Sequence, residues 1–193
     1  LLNILGKAEK ASLKARELGL RFLTFSEGGE PYKKTMQLKP LLSEAAEIIK
    51  GDWGVDFDFD LSKDLWHISC DPDQIHQAFM DLMMNAAEAM NGKGTIEITA
   101  ENSEVIASGI QPLQPGKYVK MVFKDSGEGI SPEHLPRIFD LYFSTRQRVS
   151  QKGLGFGLSI VYSILKRHKG HIDVTSQVGI GTEVTVYLPA YVR

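Results

Sequence analysis

The 193-residue chain holds a single cysteine, Cys70. That excludes an internal disulfide, and no Cys/His cluster has the spacing of a zinc site. Cys70 itself reads as a small residue at a strand end rather than a reactive thiol. Long apolar runs are absent too: none approaches the roughly 18 residues that a membrane-spanning helix needs. Nor is there an excess of charge, since 22 basic side chains face 24 acidic ones for a net −2. Broad attraction to nucleic acid or to an anionic membrane is therefore not expected. No signal peptide is visible, so a reducing, cytoplasmic setting is the expectation. The first residue is Leu1 rather than Met, and the chain reads as a piece of something longer. What is present, 42% hydrophobic and 24% charged residues, is the composition of a soluble domain with an appendage.

Residues 1–25 place Leu1, Ile4, Ala8, Ala11, Ala15, Leu18, Phe22 and Phe25 at alternating spacings of three and four, the seam of a helix that packs on another helix. Ser26–Pro31 breaks that pattern with two glycines and a proline. The expected domains are thus a heptad helix and hinge over 1–30 and a main body over 31–193. In the body, a short extended lead over Met36–Lys39 precedes a helix that Pro40 opens, Leu41–Lys50, stopped by Gly51. Strands are expected at Val55–Leu61, Leu65–Ser69, Thr95–Glu101, Tyr118–Lys124, His171–Ser176 and Thr182–Leu188. A short helix is expected from Ser131, and a longer one from Gly153 to the basic turn before Gly170. Strands in pairs with three long helices argue for an α+β, two-layer sandwich: a mixed sheet with helices on one face.

The best-started element is Asp71–Met90. Asp71 is an N-cap, Pro72 suits the first helical position, and Gln74 three residues on would close a capping box. Ile75, Ala78, Phe79, Leu82, Met83, Ala86 and Met90 share one apolar face. Beside it runs a polar stripe of Gln74, Gln77, Asp81, Asn85 and Glu88, whose hard oxygens at i, i+4 suit Mg²⁺. Two further stretches carry chemistry. Asp125-Ser126-Gly127-Glu128-Gly129 follows a strand, with a carboxylate able to accept from an amino group and glycines that admit a planar ligand. Gly153-Leu154-Gly155-Phe156-Gly157-Leu158-Ser159 opens a helix and offers N–H groups and a positive dipole end to phosphate. No Gly-Lys-Ser/Thr closes it, so it is not a Walker loop, and no βαβ unit surrounds it. The five histidines have no catalytic neighbour at useful spacing and read as structural.

In sequence order, NAAEA at 85–89, DSGEGI at 125–130, IFDLYFSTR at 138–146, GLGFGLS at 153–159 and GIGT at 179–182 resemble the N, G1, F, G2 and G3 boxes of the Bergerat-type (GHKL) ATPases. The nearest likeness is to the catalytic domain of sensor histidine kinases, over about residues 35–190, and residues 1–25 resemble the second helix of their dimerisation domain. The resemblance implies a Bergerat ATP-binding fold, ATP and Mg²⁺ as cofactors, and transfer of the γ-phosphate to a protein histidine in a two-component system. It also implies a response-regulator partner, a homodimer formed through the N-terminal helix, and membrane attachment only through regions outside this chain. Carried over residue by residue, Asn85 would ligate Mg²⁺ and Asp125 would bind the adenine amino group. Gly127 and Gly129 would let the base sit close, with Ala89 and Ile130 lining its pocket and Thr182 supporting it. Phe139 and Phe143 would anchor a lid whose cations, Arg146 or Lys152, would reach the γ-phosphate. Gly153, Gly155 and Gly157, with the N–H groups of Leu154, Phe156 and Leu158, would cradle the phosphates.

Two departures stand out. Asp81 occupies a position where many histidine kinases have Asn and hydrolytic relatives have Glu. Three roles are open to it: a Mg²⁺ helper, a weak base, or a solvated side chain. No histidine occurs in residues 1–66, so the phosphoacceptor helix is absent and the chain is expected to bind ATP without phosphorylating itself at the usual site. An ATP-hydrolysing GHKL switch and a non-catalytic nucleotide-binding module are the alternatives.

Overall fold

The computed structural model describes residues 30–106, 113–141, 143 and 157–191. The heptad seam of residues 1–25, and the candidate site residues Arg146, Lys152, Gly153, Leu154, Gly155 and Phe156, lie outside them. In chain order the elements are β1 (Lys34–Met36), α1 (Leu38–Trp53), β2 (Asp56–Leu61), β3 (Ile68–Cys70), α2 (Pro72–Ala89), β4 (Thr95–Val105), β5 (Gly116–Asp125), a 3₁₀ turn (Leu135–Arg137), α3 (Gly157–Arg167), β6 (His171–Gln177) and β7 (Gly181–Pro189). A five-stranded sheet has the order β2-β4-β5-β7-β6, with β2 parallel to β4 and the other pairs antiparallel. The mixed sheet with its layer of helices is the expected α+β sandwich. β1 and β3 pair separately as a two-stranded ribbon.

Alternation explains the layering. On β4, Ile96, Ile98 and Ala100 are buried while Glu97, Thr99 and Glu101 are exposed. Val119, Met121, Phe123, Val186 and Leu188 continue the inward rows on β5 and β7. From α2, Ile75, Phe79 and Met83 are fully buried, and the Phe79 and Phe123 rings lie 5.8 Å apart. Burial of each such side chain is worth about 1.5–3 kcal/mol, so this face decides which way the helix rolls. The outer face is polar, with cross-strand pairs Lys120–Glu101 at 2.9 Å and Lys124–Glu97 at 3.0 Å.

Several boundaries differ from the sequence expectations. α1 runs from Leu38 to Trp53, rather than 41–50. Pro40 sits inside the first turn, where no intrahelical N–H is needed, and the stop is Gly54, left-handed at φ 74°. Gly51 faces open space inside the helix. β4 continues to Val105, and the second strand expected at 65–69 is the three-residue β3. The turn after Ser131 is a single 3₁₀ turn.

At the start of α2 the cap forms and the box does not. Asp71 Oδ1 accepts from the amides of Asp73 and Gln74, but Gln74 Oε1 is buried without a hydrogen-bond partner. The Asp71 amide instead donates to His168 Nε2 at 3.0 Å, and Asp71 Oδ2 accepts from the Tyr32 amide. His168 is buried, with Nδ1 2.8 Å from the Ile164 carbonyl. That carbonyl can only accept, so the ring is the Nδ1–H tautomer. Burial holds its pKa below the usual histidine value, partly offset by the bond to Ile164. Cys70, at the end of β3, is buried and its thiol is pushed up to about 11, first by burial and then by the Asp71 charge.

Candidate functional site

The site grows from one end of the sheet. β5 ends at Asp125, whose register partner is Thr182 at the start of β7, and Thr182 pairs in turn with Ser176 on β6. Phe123 and Val186, two and four residues away, face the helices, so by the two-residue period this Asp–Thr–Ser row faces them also. Asp125 is 9% and Thr182 8% exposed. Asp125 Oδ1 accepts from the Gly127 amide at 2.8 Å and from the Thr182 amide at 3.3 Å. Those two bonds fix the carboxylate at the mouth of the sheet. Ser176 went unnoticed in the sequence. Its hydroxyl accepts from the Ile130 amide at 2.8 Å and lies 2.9 Å from both the Gly181 carbonyl and Thr182 Oγ1. A serine six residues before a threonine, flanking a G-x-G hairpin turn, is the pattern that would have revealed it.

The two glycines after Asp125 are explained by protein contacts. A Cβ on Gly127 would stand 2.6 Å from the Ala89 carbonyl carbon, where the loop crosses the end of α2 and Glu128 N–H donates to the Ala89 carbonyl. Gly129, at φ 71°, lies against the Gln177 carbonyl, and the Gly179 amide donates to Glu128 O. The loop 125–130 is thus clamped between α2 and the β6–β7 turn. Ala89 and Ile130, half-buried, stand at its two clamps.

α2 brings in the polar stripe. Asn85 is half-buried, and a Cβ on Gly157 would stand 3.2 Å from its Nδ2 and 3.3 Å from its Oδ1. The first residue of α3 therefore meets the amide of Asn85, uniting two sequence motifs 72 positions apart. Leu158 follows, packed at the edge of the core. Asp81 is fully buried, which removes the solvated role. Phe143 lies 5.6 Å from the His134 ring, with the Arg137 guanidinium 4.8 Å over its face, and Phe139 packs 5.3 Å from Tyr162. His134 is held by Ser131 at 2.8 Å. The loop 125–130 meets α2 at Ala89, one turn along the helix from Asn85, so it links the carboxylate end of the sheet to the end of α2 that carries the Asn85 amide. No cluster of three or more His, Cys, Asp or Glu among the described residues could hold a metal by itself.

Residues 70–192 match the family described as histidine kinase-, DNA gyrase B- and HSP90-like ATPases. The chain belongs to that family. Among relatives, it is 30% identical over 198 residues to sensor kinase CckA of Brucella abortus, covering 100% of this chain and 20% of CckA. It is 31% identical over 159 residues to sensor histidine kinase ZraS of Escherichia coli, covering 81% of this chain and 31% of ZraS. The chain thus spans a third or less of these curated relatives. The nucleotide-free catalytic domain of histidine kinase ThkA superimposes with a TM-score of 0.65 at 25% identity, over 82% of this chain and 95% of that domain. The family is one of ATPases, which makes the end of the sheet around Asp125 and Asn85 its candidate nucleotide site.

Proposed function

We propose that this chain is the ATP-binding catalytic part of a protein-histidine kinase of a two-component system. The observation that carries the reading is the meeting of Asn85 with Gly157 at the start of α3, together with an Asp125 carboxylate fixed in a loop that is clamped to the end of α2. Asp125 would accept from the adenine amino group, and Ala89, Ile130 and Thr182 would border the base. Asn85 would hold Mg²⁺ through its amide oxygen. That fits a donor set too sparse for an all-protein cage, because Mg²⁺ keeps several waters and binds through one or two protein oxygens plus phosphates. The ion, once bound, would neutralise charge on the phosphates. The chain's own groups would do the rest: Gly153, Gly155 and Gly157, with the N–H groups of Leu154, Phe156 and Leu158, would cradle the phosphates, Phe139 and Phe143 would anchor the lid, and Arg146 or Lys152 would approach the γ-phosphate. The positive end of α3 favours the same anion. Asp81, sealed from solvent, suits support of the Asn85 region better than a base that must reach water. This favours the kinase reading over the hydrolytic switch.

The wider reading follows from the relatives. Residues 1–30 would supply a dimerisation helix and hinge to the catalytic domain at 31–193. The phosphate would go to a histidine on another segment and then to a response-regulator receiver domain. The setting would be cytoplasmic; among the described residues no helix is long and apolar enough to cross a membrane. A form of the protein extended N-terminally to include a histidine-bearing helix should take label from γ-labelled ATP into an acid-labile, base-stable product. Steady phosphate release with no labelled protein would instead favour the hydrolytic switch.

A further inference from the structure

Where the chain enters the described body, it is gripped by a side chain rather than by a strand. β1 pairs with β3 in the register Lys34↔Cys70, Thr35↔Ser69 and Met36↔Ile68. One more step outward would set Lys33 opposite Asp71, and a second would set Tyr32 opposite Pro72, the first residue of α2. Pairing has to stop there, because the partner strand has become a helix whose carbonyls serve its own bonds. The Asp71 carbonyl is already taken by the Ile75 amide at 3.0 Å. The Asp71 carboxylate stands in for the missing strand. Its Oδ1 caps α2 through the amides of Asp73 and Gln74, at 3.2 and 3.3 Å, while its Oδ2 accepts from the Tyr32 amide at 3.0 Å. A serine or asparagine cap offers a single oxygen, whereas aspartate has one for each task. Asp71 is itself held, since its amide donates to His168 Nε2 at 3.0 Å. The Tyr32 ring adds no hold on the body: it is 74% exposed, and the Lys34 Nζ lying 5.3 Å over it belongs to the same segment. Past Gln37 the chain is anchored by its core side chains, beginning with the buried Leu38.

We propose that Asp71 is a positioning residue for phosphotransfer: its second carboxylate oxygen extends the hold on the incoming chain past the end of the β1–β3 ribbon and fixes Tyr32 as the point from which the catalytic body is tethered. The inference rests on the reading that the phosphoacceptor histidine lies on a segment joined to the body through residues 1–30. In such an arrangement the length of the connection sets the effective concentration of one part at the other. Without the Oδ2 bond, the connection read at Ser26–Pro31 lengthens by Tyr32 and Lys33. It lengthens through Met36 if the short ladder lets go as well, because a two-stranded ribbon is marginal by itself. Under the −3/2 power of length, the effective concentration then falls about 1.5- to 2.5-fold. That loss is confined to a tethered acceptor, since one supplied in solution does not use the connection.

Asp71→Asn and Asp71→Ser each keep an oxygen for the cap and lack the second one. In the 193-residue chain, the Tyr32 amide should exchange its hydrogen at least about fivefold faster in both variants, followed by NMR, as expected on losing a bond to a charged acceptor. The Ile75 amide, which reports the first helical bond of α2, should exchange as in the parent. The serine variant serves if the asparagine variant does not fold. Unchanged Tyr32 exchange in a folded variant overturns the inference, as does an equal rise at Ile75, which would place the effect in the cap. The second measurement compares the N-terminally extended protein, which carries the histidine, with the 193-residue chain mixed with a separate histidine-bearing dimerisation domain. Asp71→Asn should slow labelling from γ-labelled ATP about 1.5- to 2.5-fold in the extended protein and leave the mixed reaction at the parent rate. Equal rates for parent and variant in the extended protein, or equal slowing in both formats, overturn the positioning role. If the parent labels no histidine in either format, the kinase reading fails and the positioning role with it, whereas Tyr32 exchange still decides the grip.

Discussion

Asp125 and Asn85 are the two side chains on which the nucleotide reading turns, and they are held differently. Asp125 Oδ1 is pinned by two backbone amides, at 2.8 and 3.3 Å, so the carboxylate cannot swing away from the mouth of the sheet. Asp125→Asn keeps an oxygen for those amides but presents an amide in place of a charged acceptor. ATP affinity should fall by about 1.5–3 kcal/mol, the worth of a hydrogen bond to a charged group, measured by calorimetric titration. Affinity within error of the parent would count against the adenine role. Asn85 is fixed by position instead, between the face of α2 and Gly157. Asn85→Ala should abolish the gain in ATP affinity that Mg²⁺ brings while leaving Mg²⁺-free binding nearly intact. A Mg²⁺-dependent gain equal to the parent's would remove the metal assignment. Both residues were legible in the sequence, because each sits on an element whose periodicity says where it points. Ser176 was not, because its importance comes from three partners on other segments.

At the scale of elements, the periodic segments read well and the joints between them did not. α2 occupies Pro72–Ala89 against an expected 71–90, since an N-cap, a proline at N1 and an unbroken apolar face all agree. α1 was misjudged at both ends because proline is as comfortable inside a first turn as before it, and of two candidate glycines only Gly54 is left-handed. The β1–β3 ribbon and the bond from Asp71 to His168, 97 residues apart, have no local signature. That bond ties the N-terminus of α2 to the C-terminal end of α3, while Asn85 and Gly157 meet at the other end of the same pair. It also makes a pH prediction. His168 must be neutral to accept the Asp71 N–H, and burial lowers its folded pKa below the unfolded value of 6.5. A lowered folded pKa means that the unfolded chain binds the extra proton first. Its stabilising contribution is therefore complete above pH 6.5 and is lost as pH falls from there through the folded pKa. Denaturant midpoints should drop between pH 7 and 5.5, and the drop should shrink in His168→Gln, whose amide oxygen can still accept. It should not vanish, because burial lowers the His171 pKa in the same direction. An undiminished drop in the glutamine variant would assign the effect to other groups. Gly127→Ala tests the clamp: its Cβ would collide with the Ala89 backbone, costing about 1–3 kcal/mol of stability by overpacking.

For the whole molecule, the proposed kinase reading separates ATP binding from phosphate acceptance. Residues 1–66 contain no histidine, and the five in the chain are at 67, 76, 134, 168 and 171. His168 is buried with both ring nitrogens engaged, and His134 Nδ1 is taken by Ser131. His76 lies on α2 with its Nε2 buried. His171 stands at the start of β6, the opposite end of the strand from Ser176, and is separated from the Asp125 end by the length of the sheet. A six-residue span of strand covers about 20 Å, far beyond the 3–3.5 Å that an in-line attack requires. His67, just before β3, pairs through its carbonyl with the Tyr191 amide at the β1–β3 side of the molecule. The chain should therefore bind ATP yet remain unlabelled when incubated alone with γ-labelled nucleotide. Adding a separate histidine-bearing dimerisation domain should restore labelling, on that domain and not on this chain, in proportion to the complex formed. The check is acid-labile label resolved by gel after mixing, with Asn85→Ala as the inactive control. Label appearing on this chain alone would show that one of its own histidines can reach the γ-phosphate, and the division between a binding part and an accepting part would have to be abandoned.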